Sequence, residues 1–471
     1  MRALFLTAAL FASTAAQAQY VSQQPGEAQF RALFKEMVET DTSVTTGSCT
    51  AAAEKLAVRF KAAGFGDSDI TQFSVPEFPK DGGIVVHLKG SDDGKKGGVK
   101  PMLLLGHLDV VAAKPEDWTR SPFTLIEEGG YFYGRGTFDD KAQASIWADL
   151  LIRMKAGKAP KRTIKLALTC GEETTYAFNG ADWLAKNRPE LIIAEFALNE
   201  GGGGRNGPDG KPQGLAVQVG EKTVQNFWIE ATNPGGHSSV PRPDNAITDL
   251  TAAVVAVNRH EFPVQFTDTT RTYFTTLAKV MPNPVGPAMA RLLTNPNDAE
   301  ANRIVSMDPT NHSVLRTTCV TTLLEADHAE NALAQRARAN VNCRMFPGTD
   351  PNALKADLEK VIANAKVNVS LKPPIRPVAK PTPMNPAIIG PMTSVAARHF
   401  PGVPMLAMMS TGATDAIYIT PIGIPVYGAP GTMIDADGNG IHGLNERISV
   451  RSLMQGRDYL SDLVMVLANP K

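Results

Sequence analysis

The chain has 471 residues, and its 47 lysines and arginines balance 47 aspartates and glutamates for a formal net charge of zero. That length exceeds one ordinary hydrophobic core and predicts two domains. No basic stripe points to nucleic acid, and no run of about 18 apolar residues suggests a membrane span.

The first residues read as a secretory signal peptide over 1–18. Arg2 is the charged start, Ala3 to Ala16 is apolar and small, and Ala16-Gln17-Ala18 is a cleavage signal. The stretch has no polar face, unlike an ordinary surface helix. In a bacterium the mature protein is then expected to be periplasmic or secreted, without membrane attachment after cleavage.

Gln24 to Ala63 has helical spacing, with Phe30, Phe34 and Val38 and then Leu56, Val58 and Phe60 at the apolar positions. Ile84–Leu88 is a short strand, and Met102–Leu105 is a continuous apolar run of the buried, parallel kind. Asp140–Met154 is a helix with Trp147, Leu150, Leu151 and Met154 on one face, ended by Gly157 and Pro160. Thr163–Leu168 and Ile192–Leu198 are two further apolar strands. Strands alternating with helices predict an α/β fold with a mostly parallel sheet, whose ligand sites lie beyond the strands' carboxyl ends.

The pattern changes after the Gly-rich stretch Gly201 to Gly214. Strands at Asn226–Thr232, Leu315–Leu324, Arg338–Met345 and Val367–Leu371, with helices at Asp244–Val257 and Pro351–Ala363, give a β-α-β-β-α-β order. That order is a ferredoxin-like α+β unit inserted into the first domain. A long segment from about Phe262 to Asn311, rich in Pro, Met and Asn, separates its first helix from its second strand. The run Pro373 to Pro386 leads the chain back to the first domain.

Cys319 and Cys343 fall nearly opposite if their two strands pair antiparallel, so a disulfide is open to them. Two buried free thiols are the favoured expectation. None of Cys49, Cys170, Cys319 and Cys343 has metal spacing.

Five scattered segments carry metal-binding groups: His107-Leu108-Asp109, Asp139-Asp140-Lys141, Glu172-Glu173, Asn199-Glu200 and Ile441-His442-Gly443. Two imidazoles and several carboxylates are too many for one four-coordinate ion, but they suit two ions sharing a carboxylate, the arrangement of metal-assisted hydrolysis. His107 and Asp109 face the same way on a strand end, so Asp109 can fix the histidine's tautomer. Asp139, at a helix start behind Gly134-Arg135-Gly136, is assigned as the bridge; one capping carboxylate is ordinary, two adjacent ones are not. Asp140 would support the local backbone, with unusual geometry expected at the Asp139–Asp140 peptide. Adjacent carboxylates repel unless they serve different partners, so Glu173 binds metal and Glu172 stays free to move a proton. Glu200 is a terminal ligand on the second ion.

Two decoys are set aside. Gly201 to Gly204 look like a phosphate loop, but no G-K-[S/T] follows. Asp435 to Glu446 has calcium-loop spacing, yet His442 occupies an apolar position and Gly428-Ala429-Pro430-Gly431 cannot form the entering helix. The loop is read instead as a turn that presents His442, with Glu446 in a supporting role.

Together these segments resemble the M20 metallopeptidases, a family of carboxypeptidases, dipeptidases, aminoacylases and deacylases. The long insertion, Pro309-Thr310-Asn311 and Leu315-Arg316-Thr317-Thr318 are most similar to the branch containing carboxypeptidase S and the secreted N-acyl amino acid hydrolases. The resemblance implies a two-zinc catalytic domain over 19–221 and 377–471 and a lid and dimerisation domain over 222–376. It implies His107, Asp139, Glu173, Glu200 and His442 as ligands, Glu172 as base and Asp109 as the orienting residue. It also implies that His237, in Gly235-Gly236-His237-Ser238-Ser239, polarises the scissile carbonyl, often from the partner subunit of a homodimer. Asn331 and Arg344 match lid positions that hold the substrate's carbonyl and carboxylate, and Gly412 lies in a pocket-lining loop. Ala142, Val111-Ala112 and Asn331-Ala332-Leu333-Ala334 depart from the family pattern.

The expected activity is a zinc exopeptidase of carboxypeptidase or dipeptidase type, with cobalt or manganese also suited to the ligands. An N-acyl amino acid amidohydrolase is the first alternative. A non-catalytic periplasmic binding protein with a relic metal site is the second.

Overall fold

The apolar runs read from the sequence become the middle of a ten-stranded sheet in the computed structural model, which describes residues 20–174, 178–326, 329–429 and 431–470. The expected signal segment lies outside the described residues. Met102–His107 runs parallel between Ile164–Thr169 and Phe196–Asn199, and Val426–Gly428 continues in parallel beside the latter. Every residue of Met102–His107 and Ile164–Thr169 is buried, as strands covered on both faces must be. Antiparallel strands widen the sheet, Ile70–Val75 and Phe78–Leu88 on one side and Gly203–Asn206 with Pro212–Glu221 on the other.

Alternate residues of each strand serve opposite layers. Met102 and Leu104 pack with Phe30, Phe34, Phe60, Trp147 and Tyr459 from helices Glu27–Glu39, Cys49–Ala62, Lys141–Lys155 and Val450–Ala468. Leu103 and Leu105 pack with Leu184, Ile192 and Ile417 from the short helices on the other side. Each fully buried large apolar side chain contributes about 1.5–3 kcal/mol, so the parallel centre is rigid where its carboxyl ends must hold functional groups.

A second sheet has four antiparallel strands in the order Thr318–Ala326, Arg336–Met345, Thr223–Thr232 and Val367–Lys372. Phe227, Ile229, Ala339 and Val341 point into a core closed by helices Ala246–Arg259 and Pro351–Ile362. Period-two alternation sends Asn226, Asn340, Asn342 and Arg344 to the opposite face. Those four line the cleft described below.

The structure departs from the sequence reading in four places. The helical pattern from Gln24 to Ala63 is broken into two helices, because Asp41 accepts from the Ser43 N–H and from the Ser43 and Thr46 hydroxyls to stabilise a turn. Ile192 belongs to the short helix Pro189–Ile192, started by a proline suited to that position, and the strand begins only at Phe196. The Pro- and Asn-rich segment forms helices Asp268–Val280, Val285–Thr294, Ala299–Val305 and Pro309–Val314 around their own core of Phe274, Met289 and Leu292. Pro284 and Asn295 cap the second of these helices and Pro309 opens the last.

The fourth departure corrects the expectation of free thiols: all four cysteines are bridged, Cys319 to Cys343 and Cys49 to Cys170. The first pair faces across antiparallel strands in register. The second joins the start of a helix to the end of a strand 121 residues away, a proximity that only tertiary packing creates.

Candidate metal centre

His107 is the last residue of a central strand, and Glu200 directly follows another, Phe196–Asn199. Glu172 and Glu173 follow Ile164–Thr169 through Cys170 and Gly171. Gly171 has φ +94, and a Cβ there would lie 1.9 Å from the Phe178 carbonyl oxygen, so the turn aiming Glu172 requires glycine. Asp139 precedes helix Lys141–Lys155, and the peptide joining it to Asp140 is cis. His442 comes from the loop before the last helix, with φ 58.

These residues converge. His107 Nε2 lies 3.2 Å from Asp139 Oδ1 and 3.6 Å from Glu200 Oε2. His442 Nε2 lies 3.2 Å from Asp139 Oδ2 and 2.9 Å from Glu173 Oε1. Asp139 therefore turns one oxygen toward each imidazole. Glu172 also comes within 4.8 Å of the donor atoms of His107 and Glu200, so distance alone does not separate it from them.

Asp109 ties the arrangement together from below. Its main-chain carbonyl lies 2.9 Å from His107 Nδ1, closer than its carboxylate at 3.6 Å, so the carbonyl is the nearer group fixing the ring. The carboxylate Oδ2 accepts the Glu173 main-chain N–H at 2.9 Å. Glu446 holds the other side, accepting from Arg135 at 2.7 Å and from the N–H groups of Gly136, Phe138 and Asp139 at 2.9–3.2 Å. One buried carboxylate thereby anchors the turn that carries Asp139 to the loop that carries His442. The remaining acids of that loop are occupied, Asp435 by Tyr131 and Asn206 and Asp437 by Arg447, which leaves no calcium cage.

The electrostatics demand positive charge. Burial pushes Glu172 well above the usual carboxyl range and raises Glu200, with Glu200 adding to the effect on Glu172 and Asp139 to that on Glu200. Burial acts the same way on Asp139, but the two histidines outweigh it and hold that carboxyl low. Contacts with Asp139 and Glu173 lift His442 to about 10. His107 is raised despite its burial, because Glu200, Asp109 and Asp139 surround it. Buried Asp109 Oδ1 has no hydrogen-bond partner among the described residues, and His442 Nε2 at 2.9 Å is the group that meets Glu173 Oε1. A nitrogen-and-oxygen donor set crowded with carboxylates fits divalent cations, and among the described residues no lysine or arginine forms an ion pair with the cluster in their place. The other three-residue group, Cys49, Asp109 and Cys170, is no metal site because its cysteines are bridged.

A cleft of about 650 Å³ separates this cluster from the polar face of the four-stranded sheet. Glu172, Glu173 and His442 line one wall, and Arg344 with Asn340 and Asn342 line the other; Gly412 lies on the same cleft. His237 and Asn331 do not line it. His237 is on a separate two-stranded ladder with Ala332–Leu333, and Asn331 directly precedes that strand; the Asn331 main-chain carbonyl accepts the Ser238 N–H at 3.0 Å, and exposed His237 takes a 2.7 Å bond with the Ser239 hydroxyl. The structure thus gathers seven of the expected site residues, sets Arg344 opposite with Gly412 on the same cleft, and leaves His237 and Asn331 outside.

Several cleft groups escaped the sequence reading. Buried Asp415 accepts from Thr169 at 2.9 Å and Asn179 at 2.7 Å, and burial pushes it up to about 6. Asn179 also donates to the Gly171 carbonyl, so this chain of bonds steadies the turn before Glu172. Arg376, Tyr418, Asn340 and Asn342 also line the cleft. Asp415 closes a loop already singled out for Gly412, which was its only signal; Asn340 and Asn342 belong to a strand read for its pattern alone, Arg376 to a run read as a linker, and Tyr418 to the short helix Ala416–Ile419, which has no signal of its own.

The family described as peptidase family M20/M25/M40 matches residues 103–466. The chain is 29% identical over 364 residues to the N-fatty-acyl-amino acid synthase/hydrolase PM20D1 of Xenopus tropicalis, spanning 75% of this chain and 70% of that one. It is 28% identical over 459 residues to the probable carboxypeptidase S-like 2 of Dictyostelium discoideum, spanning 90% and 86%. The fold is similar to that of the M20 family metallo-carboxypeptidase Sso-CP2 from Sulfolobus solfataricus, with a TM-score of 0.68, 18% identity and coverage of 93% and 99%. It is also similar to the di-peptidase Dug1p from Saccharomyces cerevisiae, with a TM-score of 0.62, 16% identity and coverage of 94% and 96%.

Proposed function

The chain belongs to peptidase family M20/M25/M40, and from that premise we propose that it is a two-metal exopeptidase acting on peptides with a free C-terminal carboxylate. The observation that carries this reading is Asp139, set with one oxygen toward His107 and the other toward His442. His107, Glu200 and Asp139 would hold one cation, and His442, Glu173 and Asp139 the other. Two divalent cations, zinc by availability and donor type, supply an acidified water and a polarised amide carbonyl when bound.

The protein's own groups carry the rest. Glu172, buried and inclined to hold a proton, accepts one from the attacking water and delivers it to the leaving amine. Arg344 holds the substrate's terminal carboxylate, and the backbone near Gly412 lies along the same cleft. Buried Asn340 faces the cleft with an Oδ1 that has no donor among the described residues, a place for a substrate N–H. His237 and Asn331, adjacent to one another and outside their own cleft, support a homodimer in which they complete the site of a second copy. Two disulfides support an oxidising compartment, periplasmic or secreted.

A second reading, N-acyl amino acid hydrolysis, draws on the Xenopus tropicalis relative. Against a long acyl chain stand the cleft's Asn179, Asn226, Asn340 and Asn342, which offer hydrogen bonds where an alkyl chain needs apolar walls. The test is a panel of dipeptides, N-acetyl and N-long-acyl amino acids presented to the zinc-loaded protein. Dipeptides should turn over, and Glu172→Ala should lower turnover by roughly two to four orders of magnitude while metal content is retained. Near-normal turnover would remove Glu172 as base, and cleavage of long-acyl substrates alone would select the second reading.

A further inference from the structure

Arginines inside this molecule are paired with carboxylates. Arg135 meets Glu446 at 2.7 Å, and Arg153 and Arg457 both meet Asp149 at 2.9 Å. Two half-buried arginines on the cleft break that habit. Among the described residues the Arg344 side chain has one bond, Nε to Asn342 Oδ1 at 3.3 Å. Arg376, on the returning linker, donates its main-chain N–H to Gln225 Oε1 and touches the Tyr418 hydroxyl through one guanidinium nitrogen. Among the described residues neither has a carboxylate within ion-pair distance, although both line the same cavity of about 650 Å³.

A guanidinium offers five donors in a fork that matches a carboxylate, and withdrawing it from water without a partner is unfavourable. A free C-terminus satisfies only one such fork. We propose that the cleft selects dianionic substrates, with Arg344 holding the terminal carboxylate and Arg376 a second one. Tyr418 orients Arg376 by holding one edge of its fork, which leaves the other edge open to the cavity. The second carboxylate comes either from an acidic residue at the peptide's C-terminus or from a dicarboxylic acyl group on the other side of the scissile amide. This inference rests on the exopeptidase reading for the role of Arg344, while the anion site at Arg376 stands on its own geometry.

The test uses isosteric pairs with the zinc-loaded full chain. Ala-Glu is compared with Ala-Gln for the first source, and N-succinyl-alanine with N-succinamoyl-alanine for the second. In one of the pairs the carboxylate member should be favoured about tenfold or more in kcat/KM, chiefly through KM, as expected for a charged hydrogen-bonded partner. Arg376→Gln should bring that ratio close to one, and Arg376→Lys should keep part of it, with folding checked by circular dichroism. A ratio near one in both pairs for the unaltered protein, or a ratio untouched by Arg376→Gln, overturns the proposal. Calorimetry of glutarate against butyrate separates the two readings. If no amide is cleaved but glutarate binds more tightly in an Arg376-dependent way, the exopeptidase reading falls and the second anion site stands. If amides are cleaved without preference for the charged member, the reverse holds.

Discussion

Glu221 shows how one buried carboxyl can govern pH behaviour without touching the reacting atoms. It ends strand Pro212–Glu221, is 4% exposed and, among the described residues, has no cation within ion-pair distance. Its Oε2 accepts from the Thr414 N–H at 3.0 Å, the Thr414 hydroxyl at 2.8 Å and Gln218 at 3.0 Å. Burial, with help from Glu200 and Asp415, overrides those bonds and pushes the carboxyl from 4.5 up to about 8. The unfolded chain therefore loses this proton near pH 4.5, while the folded chain keeps it to about pH 8. Across that window the unfolded state binds fewer protons, so stability falls as pH rises, by on the order of a few kcal/mol in total. Glu221→Gln keeps an acceptor oxygen for Thr414 and removes the titration. In metal-free protein the variant should match the parent near pH 4.5 and exceed it by a few kcal/mol at pH 8, measured as urea midpoints. Parallel pH profiles would show that Glu221 ionises normally. This group was invisible in the sequence, where a lone acid after an apolar strand looks like any other. His107 and Glu173 were legible because their chemistry is rare at strand ends and repeats in several segments.

The elements tell a similar story about what a sequence can carry. Met102–His107 and Lys141–Lys155 could be read directly, because uninterrupted apolar runs and one-sided helical faces are local properties. The cleft face of the four-stranded sheet could not. Asn226, Asn340 and Asn342 are ordinary polar alternates until register places Asn226 opposite Asn342 and next to Asn340. The Cys49–Cys170 bridge was hidden for the same reason. It closes a span of 121 residues, against 24 for Cys319–Cys343. In the chain-entropy account, removing the longer link costs about 5 kcal/mol and the shorter about 3 kcal/mol. Paired Cys49→Ser/Cys170→Ser substitution should therefore lower the denaturation midpoint of the large-sheet unit more than Cys319→Ser/Cys343→Ser lowers that of the smaller sheet. It should also lower kcat more, since Cys170 lies two residues before Glu172 and anchors its turn. Equal losses from the two pairs would mean that neither loop length nor the proximity of Glu172 sets the effect.

At the scale of the whole molecule, the candidate centre gathers donors from segments spread from His107 to His442. Metal binding is therefore folding energy for the large-sheet unit, because the unfolded chain does not hold these side chains together. Without cations the cluster opposes folding: burial raises Glu172, Glu200, Asp140 and Asp415 together, each a carboxyl that would rather be in water. Cations reverse that sign. Zinc at about 100 times its dissociation constant adds about 2.7 kcal/mol per site, or roughly 5 kcal/mol for two independent sites. The four-stranded sheet has a separate core around Phe227, Ile229 and Val341 and should respond much less. Tryptophan separates the two units. Trp118, Trp147 and Trp183 belong to the large-sheet unit and Trp228 to the smaller sheet, so a Trp228→Phe variant reports fluorescence from the first alone. Chelator should move that fluorescence transition to lower denaturant, and zinc should restore it in proportion to the logarithm of free metal. A transition indifferent to both would mean that the converging histidines and carboxylates do not hold cations, and the proposed hydrolysis would lose its basis.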